Sequence, residues 1–150
     1  MCIRDRQQAG RIAGIAGAVD NTGWCPIDPV TFTSKLVPNI HVIGDACIGG
    51  GIPKSASAAN AEARACASAV ASLIAGATPT MPKLDGTCYN TVAPGYAFSL
   101  SGIYQPKDDI FAEVEGSGFT SPPDAPREVR LHEADQAQSW YKAITVETFG

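Results

Sequence analysis

The sequence has no cluster of lysine and arginine, no closely spaced cysteine pair, no dinucleotide fingerprint and no long unbroken apolar run. Each absence removes a class of function. With eleven basic residues against fifteen acidic ones and a formal charge of -4, the chain lacks the positive field by which nucleic acids or anionic membranes are held. A helix crossing a bilayer needs about 18 or more apolar residues in succession, and the nearest approach, residues 56–75, is broken by Asn60, Glu62 and Arg64. Neither nucleic-acid binding nor membrane insertion is expected. The first residues have no apolar stretch like that of an export signal, and residues 1–6 (MCIRDR) resemble an assembly or translation scar, so they are set apart from the fold.

Cysteine spacing is equally restrictive. Cys2, Cys25, Cys47, Cys66 and Cys88 form no C-x-x-C pair, so neither a zinc site nor a dithiol motif can be assembled from neighbours. His41 lies in an apolar stretch and His132 among charged residues, each without a second ligand at metal spacing; no metal site is expected. Gly10, Gly14 and Gly17 follow a G-x-x-x-G-x-x-G order. The fingerprint that brings backbone against a pyrophosphate needs its first two glycines one residue apart.

What is present describes a folded, loop-rich chain of 150 residues with fifteen glycines and eleven prolines. That length suffices for one ordinary core but is short for an enzyme with two nucleotide-binding domains. Residues 7–19 read as a short helix or loop, and residues 20–29 (DNTGWCPIDP), with Pro26 and Pro29, as a shaped loop. Residues 39–44 (NIHVIG) are apolar and β-branched and end at Gly44-Asp45, the pattern of a buried parallel strand. Gly49, Gly50 and Gly51 supply a turn, Pro53 suits the first helical turn, and a helix is expected over residues 55–75 with Cys66, Val70, Leu73 and Ile74 on its buried face. Gly76 stops it.

After a linker over residues 77–83 the texture changes to alternating apolar and polar residues. Residues 87–104 suggest two strands joined at Pro94-Gly95, and residues 111–114 a third beyond the Asp108-Asp109 turn. Residues 127–147 have helical spacing, with Ala137, Trp140, Tyr141 and Ile144 inward. Glu113, Glu115, Asp124 and Glu133 read as a solvated acidic surface.

A buried strand running into Gly-Asp, then glycines, then a helix start is how many FAD enzymes make their last cofactor contact. Gly44 allows close backbone approach, Asp45 can accept a hydrogen bond from a ribityl hydroxyl, and the helix start at Lys54, Ser55 and Ala56 favours the negative charge of a reduced flavin. Lys54 adds a full charge there. The same residues are also compatible with a plain turn and a solvated lysine.

The segments GWCPID (residues 23–28), NIHVIGDACI (39–48), IPKSASAANAEA (52–63), TCYNTVAPGYAFSLSGIY (87–104) and SWYKAITVETFG (139–150) together resemble the flavoprotein subunit of flavocytochrome c sulfide dehydrogenase. The resemblance covers nearly everything after residue 6 and corresponds to that family's C-terminal portion. It implies an α/β chain: residues 7–77 as the end of an FAD-binding Rossmann-like domain, and residues 78–150 as a small α+β flavin-binding domain of antiparallel sheet and C-terminal helix.

It also implies a periplasmic enzyme in which sulfide opens a redox-active disulfide, FAD takes the electrons, and a c-type cytochrome subunit removes them. Cys88 matches the C-terminal cysteine of that disulfide, whose partner lies far upstream in the family. The cofactor set is then Gly44, Asp45, Pro53, Lys54, Ser55, Ala56 and, from the last helix, Trp140. Cys25, Cys47 and Cys66 are left as structural, small residues suited to packed positions. The segment alone is not expected to turn over. A sulfide:quinone oxidoreductase would need membrane-seeking C-terminal helices, and the final helix carries Glu128, Glu133, Asp135 and Glu147 against Arg127, Arg130 and Lys142. The cytochrome-linked reading is preferred to that one and to a non-catalytic interaction module.

Overall fold

The computed structural model describes residues 9–150; the stretch read as a scar, residues 1–6, lies outside the described residues. A short helix α1 (Arg11–Ile15) leads into a long shaped loop, a single 3-10 turn (Gly44–Ala46) and the helix α2 (Ala56–Ile74). Four strands follow, β1 (Leu84–Ala93), β2 (Tyr96–Lys107), β3 (Ile110–Glu113) and β4 (Phe119–Thr120), and the chain closes with α3 (Arg127–Phe149). The result is α+β: an antiparallel sheet in the order β1-β2-β3, with β4 also paired to β2.

Turn chemistry explains the sheet. Ala93 pairs with Tyr96 across Pro94-Gly95, with Gly95 at φ 67°. Lys107 pairs with Ile110 across Asp108 and Asp109, both at positive φ (49° and 71°), the two-residue geometry that matches the twist of antiparallel strands. Both hairpins fall where the sequence places them. The short β4 has no comparable signal, being two residues long.

Side chains alternate across the sheet, so Leu84 and Tyr104 face the α2 side while Tyr89 and Ser99 face α3. On the α2 side Ile27, Phe32, Cys47, Ile52, Ala58, Leu84, Tyr104 and Phe111 form one core. It draws on residues before and after the linker, with Phe32 and Phe111 in tilted ring contact at 5.7 Å. Gly51 N–H donates to the Phe111 carbonyl (2.8 Å) and Phe111 N–H to the Gly49 carbonyl (3.2 Å), so the glycine run docks beside β3 as an extra rung. Gly86 lets β1 approach the α2 start: a Cβ there would stand 2.9 Å from the Tyr104 ring and 3.1 Å from Pro53.

Several expectations are corrected. Residues 39–44 form no strand; His41 makes a single bridge to Thr33, because no described strand lies alongside to complete a parallel sheet. A Rossmann-like sheet is accordingly absent among the described residues. Pro53 precedes the helix, which begins after Ser55, the N-cap whose Oγ accepts the Ala58 N–H. The buried face of α2 runs through Ala58, Glu62 and Ala69, with Cys66 packed at its margin, while Leu73 and Ile74 are exposed. On α3, Tyr141 is exposed, and the buried residues are Arg130, Glu133 and Ala134.

Glu133 is the sharpest departure, since it is a buried anchor and no part of an acidic surface. Its carboxylate accepts hydrogen bonds from Ser99 N–H (3.2 Å), Ser99 Oγ (2.8 Å), Ser121 Oγ (2.9 Å) and Arg130 Nη1 (3.1 Å). Arg130 in turn donates to the Pro122 and Pro123 carbonyls and lies over the Tyr96 ring. Burial opposes ionisation of Glu133, but the serine and arginine hydrogen bonds outweigh it and hold the carboxyl below its ordinary range. This network pins α3 to β2. Removing one member of a buried ion pair leaves the other uncompensated, so Glu133→Ala should cost about 3–5 kcal/mol. Urea unfolding of the variant against wild type measures that loss.

Candidate functional site

The N-terminus of α2 points at the middle of β1. Ser55 is the joint: its Oγ caps α2 and also donates to the Thr87 carbonyl at 2.8 Å, on the outer edge of β1. That bond sets the helix start beside Cys88. Around this junction lies a cavity of about 800 Å³, within the size range of cofactor sites. Asp45, Lys54, Ser55 and Ala56 form one side of it, Cys88 and its strand neighbours the second, and Trp140 with its α3 neighbours the third.

Of the residues singled out in the sequence, these six meet in one cavity. Gly44 and Pro53 do not reach it. They line a smaller cavity of about 220 Å³ beneath the turn, shared with Trp24, Cys47 and Glu62. Pro53 packs against Gly86, so its contribution is to the seating of α2 on β1.

Lys54 is held in place by its surroundings. Its Nζ donates to the Asp45 carbonyl and, at 3.2 Å, to the Cys47 carbonyl, and stands 4.2 Å from the centroid of the Trp24 ring. The lysine thus closes the turn on itself, and its charge is fixed beside the helix start that favours an anion. Cys88 is half-buried on β1, and its Sγ lies 3.7 Å from Nδ2 of Asn90, the next residue on the same face of the strand. Tyr89, on the opposite face, packs against Trp140 at 6.1 Å between ring centroids. The cavity therefore wraps around the outer edge of β1, with a sulfur on one side and an aromatic wall on the other.

Two residues of the site, Glu62 and Asn90, were not singled out in the sequence. Glu62, on the buried face of α2, accepts the Gly44 N–H, and its Oε2 is 3.8 Å from Cys47 Sγ. Burial raises the Glu62 carboxyl, and burial together with Glu62 pushes the Cys47 thiol up to about 12, so Cys47 is no nucleophile. Asn90 could have been found by strand alternation from Cys88. Glu62 could not, because it resembles any acidic residue on an exposed helix face.

A capped helix start aimed into a ligand-sized cavity with an aromatic wall, beside a Gly-Asp turn, suits an anionic, aromatic ligand. Residues 80–149 match the family described as flavocytochrome c sulphide dehydrogenase, flavin-binding. Over these residues the chain is similar to a flavin-binding domain, which supports a likeness to the flavoprotein subunit of that enzyme and is consistent with FAD as the cofactor. The family implies a flavin-dependent oxidoreductase, and its name pairs the flavin with a cytochrome c. No helix among the described residues is long and apolar enough to cross a membrane.

The residues present suit this group. The cavity is large enough for an isoalloxazine ring, Trp140 and Tyr89 offer aromatic surface, and the α2 start with Lys54 offers positive potential.

The raised Glu62 pKa has a measurable consequence. The folded chain keeps this proton to higher pH than the unfolded chain, whose carboxyl titrates near 4.5. The associated stability is therefore complete below about pH 4.5 and is lost as pH rises through the raised value. Thermal melts across the acid range should show the wild type losing stability relative to Glu62→Gln as pH rises, since the variant lacks this titration.

Proposed function

We propose that this chain is the C-terminal part of a sulfide:cytochrome c oxidoreductase, contributing one catalytic sulfur and half of an FAD site. The observation that carries the reading is the single cavity in which Cys88 faces Asp45 and the start of α2, with Trp140 closing it. Cys88 forms a redox-active disulfide with a second cysteine that the family places upstream. Hydrosulfide attacks one sulfur of that bond and releases the other as thiolate, a reaction that needs an accessible disulfide and a good leaving group.

Bound FAD supplies acceptance of an electron pair and its release one electron at a time. Asp45 would accept a hydrogen bond from the ribityl chain in the cavity that it shares with Cys88. The α2 start and Lys54 stabilise negative charge on the ring, which favours its reduced form. Asn90 Nδ2 stands where it can donate to a thiolate at Cys88. A c-type cytochrome subunit takes the electrons, hydrogen sulfide is the substrate, and the complex works in the periplasm. Residues 7–77 complete the FAD-binding domain and residues 78–150 form the flavin-binding domain that closes over it.

The test uses the complete flavoprotein. Cys88→Ser should retain FAD while sulfide-driven reduction of cytochrome c falls by about 10³-fold or more, as expected when a covalent nucleophile is lost. Asp45→Ala should weaken FAD retention instead. Wild-type turnover by the serine variant would remove Cys88 from the mechanism, and a complete protein that bound no flavin would remove the oxidoreductase assignment.

A further inference from the structure

The Gly44–Ala46 turn is held to α2 by a residue outside the larger cavity. Glu62 is 2% exposed, and it is the only acidic residue of α2. A carboxyl group buried to that extent is costly unless its oxygens are hydrogen-bonded. The partners of Oε2 lie at the two ends of the turn: the Gly44 N–H that opens it and, at 3.8 Å, the thiol of Cys47, which follows it.

Gly44 sits at φ 68°, a left-handed conformation, and a Cβ added there would stand 3.3 Å from Ala59. The turn therefore lies close against α2 with its first amide bonded to a carboxylate. Asp45, the next residue, spans both cavities. On the far side of the turn, Cys25 N–H donates to the Ala46 carbonyl at 3.0 Å, and Lys54 holds the Asp45 carbonyl. Glu62 supplies the polar tie from the helix beneath, so the direction in which Asp45 leaves the turn depends on the reach of a side chain one helix layer away.

We propose that Glu62 is a positioning residue for the flavin: by holding the Gly44 N–H it fixes the turn from which Asp45 enters the cofactor cavity. It acts through Gly44 and Asp45 without touching the cofactor, and the inference rests on Asp45 being a flavin contact. What matters is the acceptor and its reach; the negative charge as such is secondary. Glutamine preserves the reach and an acceptor oxygen but loses the charge. Aspartate preserves the charge but is one methylene shorter. Methionine keeps the volume and has no oxygen.

The experiment is FAD titration of the deflavinated complete flavoprotein, read by flavin fluorescence, with the visible circular dichroism of the bound flavin as a signature of its setting. Glu62→Gln should bind FAD within about twofold of wild type and keep the dichroism. Glu62→Asp and Glu62→Met should bind about tenfold more weakly with altered dichroism, the scale of one lost buried hydrogen bond. If the methionine variant fails to fold, the aspartate and glutamine pair decides alone. Wild-type binding and dichroism in Glu62→Asp would overturn the proposal, as would a loss in Glu62→Gln as large as that in Glu62→Asp, which would show that reach and an acceptor oxygen do not suffice. Asp45→Ala in the same titration separates the two levels. Unchanged FAD affinity there sinks the Asp45 contact itself, whereas a loss with Asp45→Ala and none with Glu62→Asp sinks only the role of Glu62.

Discussion

One hydroxyl group joins the two halves of the molecule at the point where chemistry is expected. Ser55 satisfies a free amide of α2 and, with the same Oγ, donates to the Thr87 carbonyl on the sheet's outer strand. A helix N-terminus and a strand edge both carry unpaired backbone groups, and here each is partly satisfied by the other through a single side chain. Every other relation in the site follows from that junction. The Gly44–Ala46 turn stands at the helix start, Cys88 is the residue after Thr87, and the α3 aromatic wall is set from the far side of the sheet.

Two buried glutamates support this arrangement from opposite faces, and their surroundings give them opposite character. Glu133 lies between two serines and an arginine, which favour its ionised form against the cost of burial. It locks α3 to β2 and so fixes Trp140. Glu62 has an amide and a thiol within reach, and burial prevails, raising its pKa. Residues of one type at similar exposure are thus made easier to ionise in one place and harder in the other. Both lie outside the larger cavity, yet two of its three walls depend on them.

Much of the architecture was legible from the order of residues because its causes are local. Pro94-Gly95 and Asp108-Asp109 select tight turns by backbone preference alone, the small-residue run after Ser55 is helical by propensity, and Gly76 ends it. The six cavity residues were found through motif and resemblance, and the fold brings them together. What could not be read depended on distant partners. Residues 39–44 have a strand's composition, but a strand is defined by its neighbours, and none is paired beside it among the described residues. Glu133 looks solvated until Ser99 and Ser121 approach from β2 and the loop after β4. Leu73 and Ile74 are apolar but exposed at the last turn of α2, so helical periodicity overstated their burial.

The contact between Gly86 and Pro53 bears on how the domain can vary. At this point a strand and the approach to a helix are packed so closely that a methyl group on residue 86 would overlap Tyr104 and press on Pro53. Cys88 is two residues further along the same strand face, and Lys54 follows Pro53 directly. The distance between the sulfur and the helix start is therefore gauged by the absence of a side chain two positions away. A spacer of this kind tolerates no gradual adjustment: the gap is closed with glycine and opened by any other residue, so changes elsewhere in the cavity walls must accommodate a width that is set here.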